Sequence, residues 1–585
     1  MAVLGIDVGG TFTDAVLLDR GRLTTAKVPT RPAQEDSVVE AARAVGAAEV
    51  DRFTHGTTVA TNALLERSGA RTAFVATAGF EHLLHLRRQA RAHLYRLCQH
   101  QPEPLVPLER CVGVRERIGP DGVLEEPDLD SLPELDAEAV AVCLLFSFRD
   151  PTHERAVAEE IRRRLPRAHV VASHELAPEF REYERASTAA ADAYLGPVTS
   201  RYLGALGSRC SAEGLPEPLV MRSSGGLASL AEAAAHPAIA LVSGPAGGVV
   251  GAARVCALAG IEDAISFDMG GTSTDVCLIA GGAAERSAER VVGGLPIRLP
   301  TVDVHTVGAG GGSIPWRDAG GALRVGPRSA GASPGPACYG RGGTEPTVTD
   351  ANLLLGRLPD SLAGGIQLDR AAAEQALGSL EPADVVRAVN AEMLRALRVV
   401  SVERGHDPAH FALVAFGGAG PLHACELAEE LGIRTVLVPA AAGVLSAFGL
   451  VASDERRDEV RSYLCPLEDA GELPPEGEAD LRYVGQSFEL TVPVEADLAA
   501  AFHRAHEERY GYADPERPIE LVAVRTAEVR PAPPLELPPA EPLHAEGPAL
   551  VELDGATCWL PPGWVGVRDG TAAGTRSSTL TVTRR

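Results

Sequence analysis

One phrase occurs twice in this chain, far apart, and it constrains the fold more than any other feature. Asp7-Val-Gly-Gly-Thr-Phe-Thr-Asp14 stands near the start and Asp268-Met-Gly-Gly-Thr-Ser-Thr-Asp275 near the middle. Apolar runs flank both copies: Ala2–Ile6 and Ala15–Leu18 around the first, Ala264–Phe267 and Val276–Ile279 around the second. An apolar run, a polar turn and a second apolar run read as strand, tight turn, strand. Paired glycines let a backbone approach a ligand closely and aim successive N–H groups at it, which makes a small anion-binding concavity. Gly9, Gly10, Gly270 and Gly271 supply that backbone, and Thr11, Thr13, Thr272 and Thr274 add hydroxyl donors without charge. Asp7 and Asp268 would repel phosphate unless a divalent cation lay between, so both are expected to orient Mg2+, partly through water. A lone Gly-Gly-Thr is also what a decorated hairpin turn shows. Two copies in matching strand contexts point to one phosphate chain held between them.

Neither copy is a P-loop, because G-x-x-x-x-G-K-[ST] does not occur, and neither clearly opens a helix after one strand as a dinucleotide fingerprint does. Duplicated hairpin turns with aspartates resemble the actin, Hsp70 and sugar-kinase superfamily. That resemblance implies an α/β fold in which duplicated, ribonuclease H-like domains flank an ATP cleft. A third glycine phrase, Phe416-Gly-Gly-Ala-Gly-Pro421, follows the apolar run Phe411–Ala415 and precedes a helical pattern near Leu422. Glycines at such a junction let a planar base or sugar lie against backbone, and a helix N-terminus favours anionic groups. Gly417, Gly418 and Gly420 are therefore the adenosine-site candidates.

A chain of 585 residues is expected to form several domains. Pattern and composition divide it at 1–172, 180–457 and 460–585, the last mainly β, with strand-like runs at Leu490–Val494, Leu521–Arg525 and Thr579–Thr583. Ser243–Gly251, Gly308–Gly312 and Gly331–Gly343 read as long glycine-rich loops, and Pro531–Pro548 as a connector. The net charge of −25 argues against nucleic acid and anionic membranes as partners, so phosphate has to be met by local backbone donors. Ten cysteines without a C-x-x-C pair read as reduced thiols of a cytoplasmic protein, and no signal-peptide pattern opens the chain. The uncharged stretches Ala233–Ala253 and Thr435–Ser453 are broken by proline and do not read as membrane spans.

Thr54-His-Gly-Thr-Thr58 reads as a polar loop entering a helix. Thr61 or Asn62 caps that helix on one reading; on the other, His55, Thr57 and Thr58 face the cleft and touch phosphate or substrate. His305, beside Asp303, is either a structural histidine or an acid/base or metal group. No catalytic Ser-His-Asp order can be read, Ser243-Gly-Pro-Ala-Gly-Gly248 lacks the G-x-S-x-G elbow, and no H-E-x-x-H helix is present.

Taken in order, the phrases resemble the hydantoinase A / 5-oxoprolinase family, the N-methylhydantoinase A-like ATP-binding subunits. Besides the glycine phrases, the resemblance rests on Thr61–Arg67, Arg181-Glu-Tyr-Glu-Arg185, Ser224–Leu227, Ser243–Gly247, Val307–Ser313, Gly335–Gly340, Thr349–Asn352, Tyr483–Gln486 and Tyr510-Gly-Tyr512. It implies an ATP-dependent hydrolase that opens a cyclic amide (hydantoin, 5-oxoproline or a related lactam) by phosphorylating the amide oxygen. Asp7 and Asp268 would be the catalytic pair that orients Mg2+ and water. It also implies a separate hydantoinase B-like subunit, hence a hetero-oligomer, with a homodimer the other expectation. Two alternatives stay open: a subunit of an ATP-dependent ketone carboxylase, and a non-enzymatic, ATP-gated binding protein.

Overall fold

The computed structural model of the chain describes residues 1–96, 101–362, 366–534, 541–553, 555–568 and 578–585. Two large mixed sheets carry the two glycine hairpins. In the ten-stranded sheet, the hairpin Ala2–Val8/Phe12–Asp19 is extended on one side by Arg22–Pro29 and on the other, in parallel, by Arg52–Thr57. Ala2–Val8 is apolar at nearly every position because both of its faces are covered; Leu4, Ile6 and Val8 have no exposed surface. In the nine-stranded sheet, the hairpin Ala264–Met269/Thr274–Ala280 is joined in parallel by Ala412–Phe416 and then by Thr435–Val438. The registers match: Asp7 lies opposite Asp14 as Asp268 lies opposite Asp275. The duplication in sequence is a duplication in structure.

A four-stranded parallel sheet is built from Thr72–Thr77, Cys111–Val114, Ala139–Cys143 and His169–Ala172. The alanine-rich helix Glu182–Ala212 packs against it, buried along most of its first half. The C-terminal third of the expected layout is mainly β, and its strands complete both large sheets. Glu455–Pro466, Glu478–Tyr483, Leu490–Pro493 and Ile519–Arg530 join the first, whereas Leu543–Glu546, Trp564–Arg568 and Leu580–Arg584 join the second. Part of the expected connector, residues 535–540, lies outside the described residues.

Two sequence expectations are corrected. Ser243–Gly251 is no loop but the first half of helix Ser243–Ala259. Its glycines serve a helix crossing: this helix meets Leu445–Ala452 with the two backbones in contact, so that a Cβ on Gly449 would lie 1.8 Å from the Gly247 carbonyl oxygen. Likewise Thr54–Thr57 is no loop; it belongs to the buried strand Arg52–Thr57, flanked in parallel by Ala2–Val8 and Leu219–Met221. Polar side chains are tolerated there because they are hydrogen-bonded: the Thr54 hydroxyl donates to the Leu4 carbonyl at 3.0 Å. Among the described residues no helix is long and apolar enough to cross a membrane. Nine of the ten cysteines are free, all but Cys465 buried; Cys98 lies outside the described residues.

Candidate functional site

Each hairpin presents its aspartates in a row that crosses neighbouring strands. In the first sheet the row is Gly56, Asp7, Asp14, Lys27, each opposite the next. In the second it is Phe416, Asp268, Asp275, Thr306. Residues directly opposite in a sheet have Cβ atoms about 5 Å apart, so each row is a short ladder of carboxylates. Glycine makes room for them. A Cβ on Gly56 would sit 2.3 Å from Asp7 Oδ1, and one on Gly417 would sit 2.3 Å from Asp268 Oδ1. Gly417 also has φ +78°, a conformation L side chains rarely adopt.

The turns are closed alike: the Gly9 N–H donates to the Phe12 carbonyl and the Gly270 N–H to the Ser273 carbonyl, both at 3.0 Å. A Cβ on Gly10 or Gly271 would meet nothing within 4 Å, so both turns look onto open space. The second turn is also braced by backbone, its Gly270 and Gly271 carbonyls accepting from the N–H groups of Gly311 and Gly312 at 3.0 and 2.7 Å. The threonines divide into two kinds. Thr13 and Thr274 are fully buried; the Thr13 hydroxyl faces that of Thr30 at 3.0 Å, and the Thr274 hydroxyl donates to the Ala309 carbonyl at 2.6 Å. These two hold the turns from behind, whereas Thr11 and Thr272 are exposed.

A cavity of about 240 Å³ opens where the two turns and the third glycine phrase meet. It brings together Thr11 and Lys27 from the first sheet, Gly270 and Gly271 from the second hairpin, and Gly418. Gly9, Gly10 and Thr272 sit on the same turns outside its lining, Gly417 packs behind it against Asp268, and Gly420 is buried as the first residue of helix Gly420–Leu431. Its far wall is more apolar, with Leu358, Pro359, Leu362 and Leu422 facing Leu553 and Ala556 of the hairpin Ala549–Leu553/Ala556–Leu560. That C-terminal wall carries no glycine phrase and was not foreseen. A larger open depression of about 1300 Å³, rimmed by Arg67, Arg87 and Arg110, has none of these turn residues in its lining.

Burial, and then the facing Asp14, push Asp7 up to about 7; burial, then Asp275 and Asp7 itself, push Asp268 up to about 8. Asp7 keeps some exposure as a residue, yet its Oδ1 is shut off from solvent and has no hydrogen-bond partner. Crowded hard oxygens of one sign, one of them unpartnered, fit a divalent cation such as Mg2+. No group of three or more metal-ligating side chains converges among the described residues. Lys27 escaped the sequence reading. Its signal was composition: among 54 lysines and arginines it is the sole lysine.

The histidines are settled by their partners. His55 places Nδ1 3.1 Å from the Ile6 carbonyl and Nε2 2.9 Å from the Tyr202 hydroxyl, and burial pushes it down to about 4. A neutral ring there donates from Nδ1 and accepts at Nε2, tying the strand to helix Glu182–Ala212 away from the cavity. His305 lies on the strand beside Asp275, lowered by burial and by Arg404, which is itself paired with Asp303 at 2.7 Å. It does not line the cavity.

Comparison with known proteins bears on the whole chain. Residues 185–459 match the hydantoinase/oxoprolinase family and residues 3–165 its N-terminal region. Caprolactamase subunit alpha of Pseudomonas jessenii is 36% identical over 89% of this chain and 85% of its own. 5-Oxoprolinase 1 of Arabidopsis thaliana is 37% identical over 70% of this chain, a region that spans 36% of that protein. The crystal structure of the ATP-dependent caprolactamase from Pseudomonas jessenii superposes with a TM-score of 0.86 at 32% identity, covering 100% of both chains.

Proposed function

Because the chain belongs to the hydantoinase/oxoprolinase family, we propose that it is an ATP-dependent hydrolase of a cyclic amide, the nucleotide-binding subunit of a two-subunit enzyme. The observation that carries this reading is the pair of matching aspartate rows beside one cavity, with an unpartnered buried oxygen on Asp7. The phosphates of ATP lie along the turns Gly9–Thr11 and Gly270–Thr272, and the adenosine toward Gly417–Gly420. Asp7 and Asp268 hold Mg2+, partly through water; bound there, the ion neutralises phosphate charge and orients the transferred group.

An amide resists water because its nitrogen lone pair is delocalised into the carbonyl. Phosphorylation removes that protection: the lactam oxygen bonds to the terminal phosphorus as the bond to ADP breaks, and the amide proton leaves. Water then adds at the activated carbon, the ring C–N bond opens as the nitrogen takes up the protons of that water, and the acyl phosphate left behind is hydrolysed by a second water, which releases phosphate. The first half of this sequence needs positioning and charge neutralisation more than a strong base. The cavity suits it, since its described lining offers backbone glycines, hydroxyls and cations, with Glu552 as its carboxylate. A hydantoinase B-like partner completes the hydrolytic half; the word subunit in the caprolactamase relative's name supports that reading.

The test is ATP turnover measured against lactams and against ketones with bicarbonate, with and without a co-purified partner. Lactam-stimulated ADP release is expected. Ketone-stimulated release would make the chain a carboxylase subunit, and turnover indifferent to both a nucleotide-gated binder. Asp7→Ala and Asp268→Ala should each abolish turnover with the circular-dichroism spectrum unchanged; normal turnover in either removes the phosphate clamp.

A further inference from the structure

The two aspartate rows form an internal comparison, because the same fold element is built twice and finished differently. The second row ends on Thr306, whose hydroxyl donates to Asp275, with Arg290 behind it 3.3 Å from that hydroxyl. The first ends on Lys27, which donates to Asp14 and lies 5.3 Å from the Phe12 ring centroid. Lys27 is the more exposed member of its pair and lines the cavity together with Thr11 and Gly271. Every other residue among the lysines and arginines of the chain is an arginine.

The physical difference between the two cations explains the choice. Where arginine meets a carboxylate in this protein it often grips both oxygens with its fork, as Arg357 does on Glu426 (3.1 and 2.6 Å) and Arg43 on Glu213 (3.2 Å from Nε and 2.8 Å from Nη2). A guanidinium at position 27 would close onto Asp14 in the same way and be used up. An ammonium is a compact point charge with three donors in no fixed plane. It commits one to Asp14 and keeps the others for a ligand in the cavity.

Resting on the nucleotide site proposed above, we propose that Lys27 contacts the terminal phosphate of the bound nucleotide and offsets the charge spread over its oxygens during transfer. Asp14 and the Phe12 ring hold the ammonium in place. The bond from phosphorus to ADP breaks, the bond from phosphorus to the substrate oxygen forms, and the lysine contributes charge and hydrogen bonds to the transferred group without bonding to it.

The experiment uses the full chain, with its partner if one co-purifies, and compares Lys27→Met and Lys27→Arg with wild type. ADP and ATP affinities are measured by calorimetry, turnover by ADP release, and folding by thermal melting. Both variants should bind ADP within about threefold of wild type and ATP about tenfold more weakly, a loss confined to the terminal phosphate. Turnover should fall by about 10²–10³-fold, as on removal of one preorganised donor, and arginine should not rescue it. Lys27→Arg keeps a cation beside Asp14, so it remains informative if the methionine variant unfolds. Wild-type turnover in Lys27→Arg overturns the proposal, as does equal loss of ADP and ATP. If the wild type itself binds no ATP, the nucleotide site fails and Lys27 with it; if it binds ATP and both variants match it, only Lys27 fails.

Discussion

Gly449→Ala should destabilise the centre of this protein, and the reason is visible in one contact. Helices Ser243–Ala259 and Leu445–Ala452 cross between the two hairpins, the second of them also lying against Ala2–Val8. A Cβ on Gly449 would come 1.8 Å from the Gly247 carbonyl oxygen and 2.8 Å from the Gly251 nitrogen, both of them backbone atoms. Carbon atoms in contact sit about 3.5–4.0 Å apart, so the helices would have to separate by more than an ångström. Neither can retreat freely, since Gly5 already places its backbone where a Cβ would be 2.4 Å from the Ala447 carbonyl oxygen. Overpacking of this kind costs about 3 kcal/mol or more, and alanine returns only ~1 kcal/mol of helix propensity, leaving a net loss of about 2 kcal/mol at least. Gly204 is the control. It is exposed in helix Glu182–Ala212 and a Cβ there meets nothing within 4 Å, so Gly204→Ala should stabilise by about 0.5–1 kcal/mol. Urea titrations followed by tryptophan fluorescence would measure both midpoints. Movement of the two midpoints in the same direction would refute the crossing argument.

Gly417→Ala should cost both turnover and stability, because at φ +78° its Cβ would lie 2.3 Å from Asp268 Oδ1 and 2.5 Å from the Met269 carbonyl oxygen; parallel ADP-release and melting measurements read the two effects. Tyr202→Phe removes the donor to a buried histidine nitrogen and should destabilise by about 1–3 kcal/mol, read as a lower thermal midpoint. The His236–Asp192 pair, at 3.0 Å, predicts a pH dependence. His236 is raised above its ordinary 6.5 by its hydrogen bond to Asp192 and that residue's charge, which outweigh burial. Its contribution is therefore full below about pH 6.5 and is lost as pH rises through the raised value. Wild type should exceed His236→Gln in thermal midpoint by more at pH 6 than at pH 9; an equal gap at both values would exclude the linkage.

The repeated phrase made the two hairpins, their aspartates and the α/β duplication legible, because a tight turn between strands is fixed by residues that are neighbours in the chain. The glycines were legible as special, but not what each is for. Gly56 and Gly417 clear space for carboxylates more than forty residues from them in sequence, and Gly247 and Gly449 allow two helices to touch. A glycine that serves close approach looks, in sequence, like a glycine that serves a loop. That is why Ser243–Gly251 was misread, and why the polar run at Thr54–Thr57 concealed a central strand whose hydrogen-bond partners lie elsewhere.

By itself, then, the sequence determined local geometry and chemical type: two glycine-turn hairpins, acidic side chains suited to a hard cation, and membership of a family. Tertiary structure alone decided which groups are free to act. Packing turned Thr13 and Thr274 inward while leaving Thr11 and Thr272 outside, and it enclosed His55 between a carbonyl and a hydroxyl. It also divided the C-terminal strands between both sheets, bringing Leu553 and Ala556 to the cavity wall, and set the lone lysine beside Asp14. Burial and long-range pairing depend on residues far apart in the chain, and no short phrase encodes them.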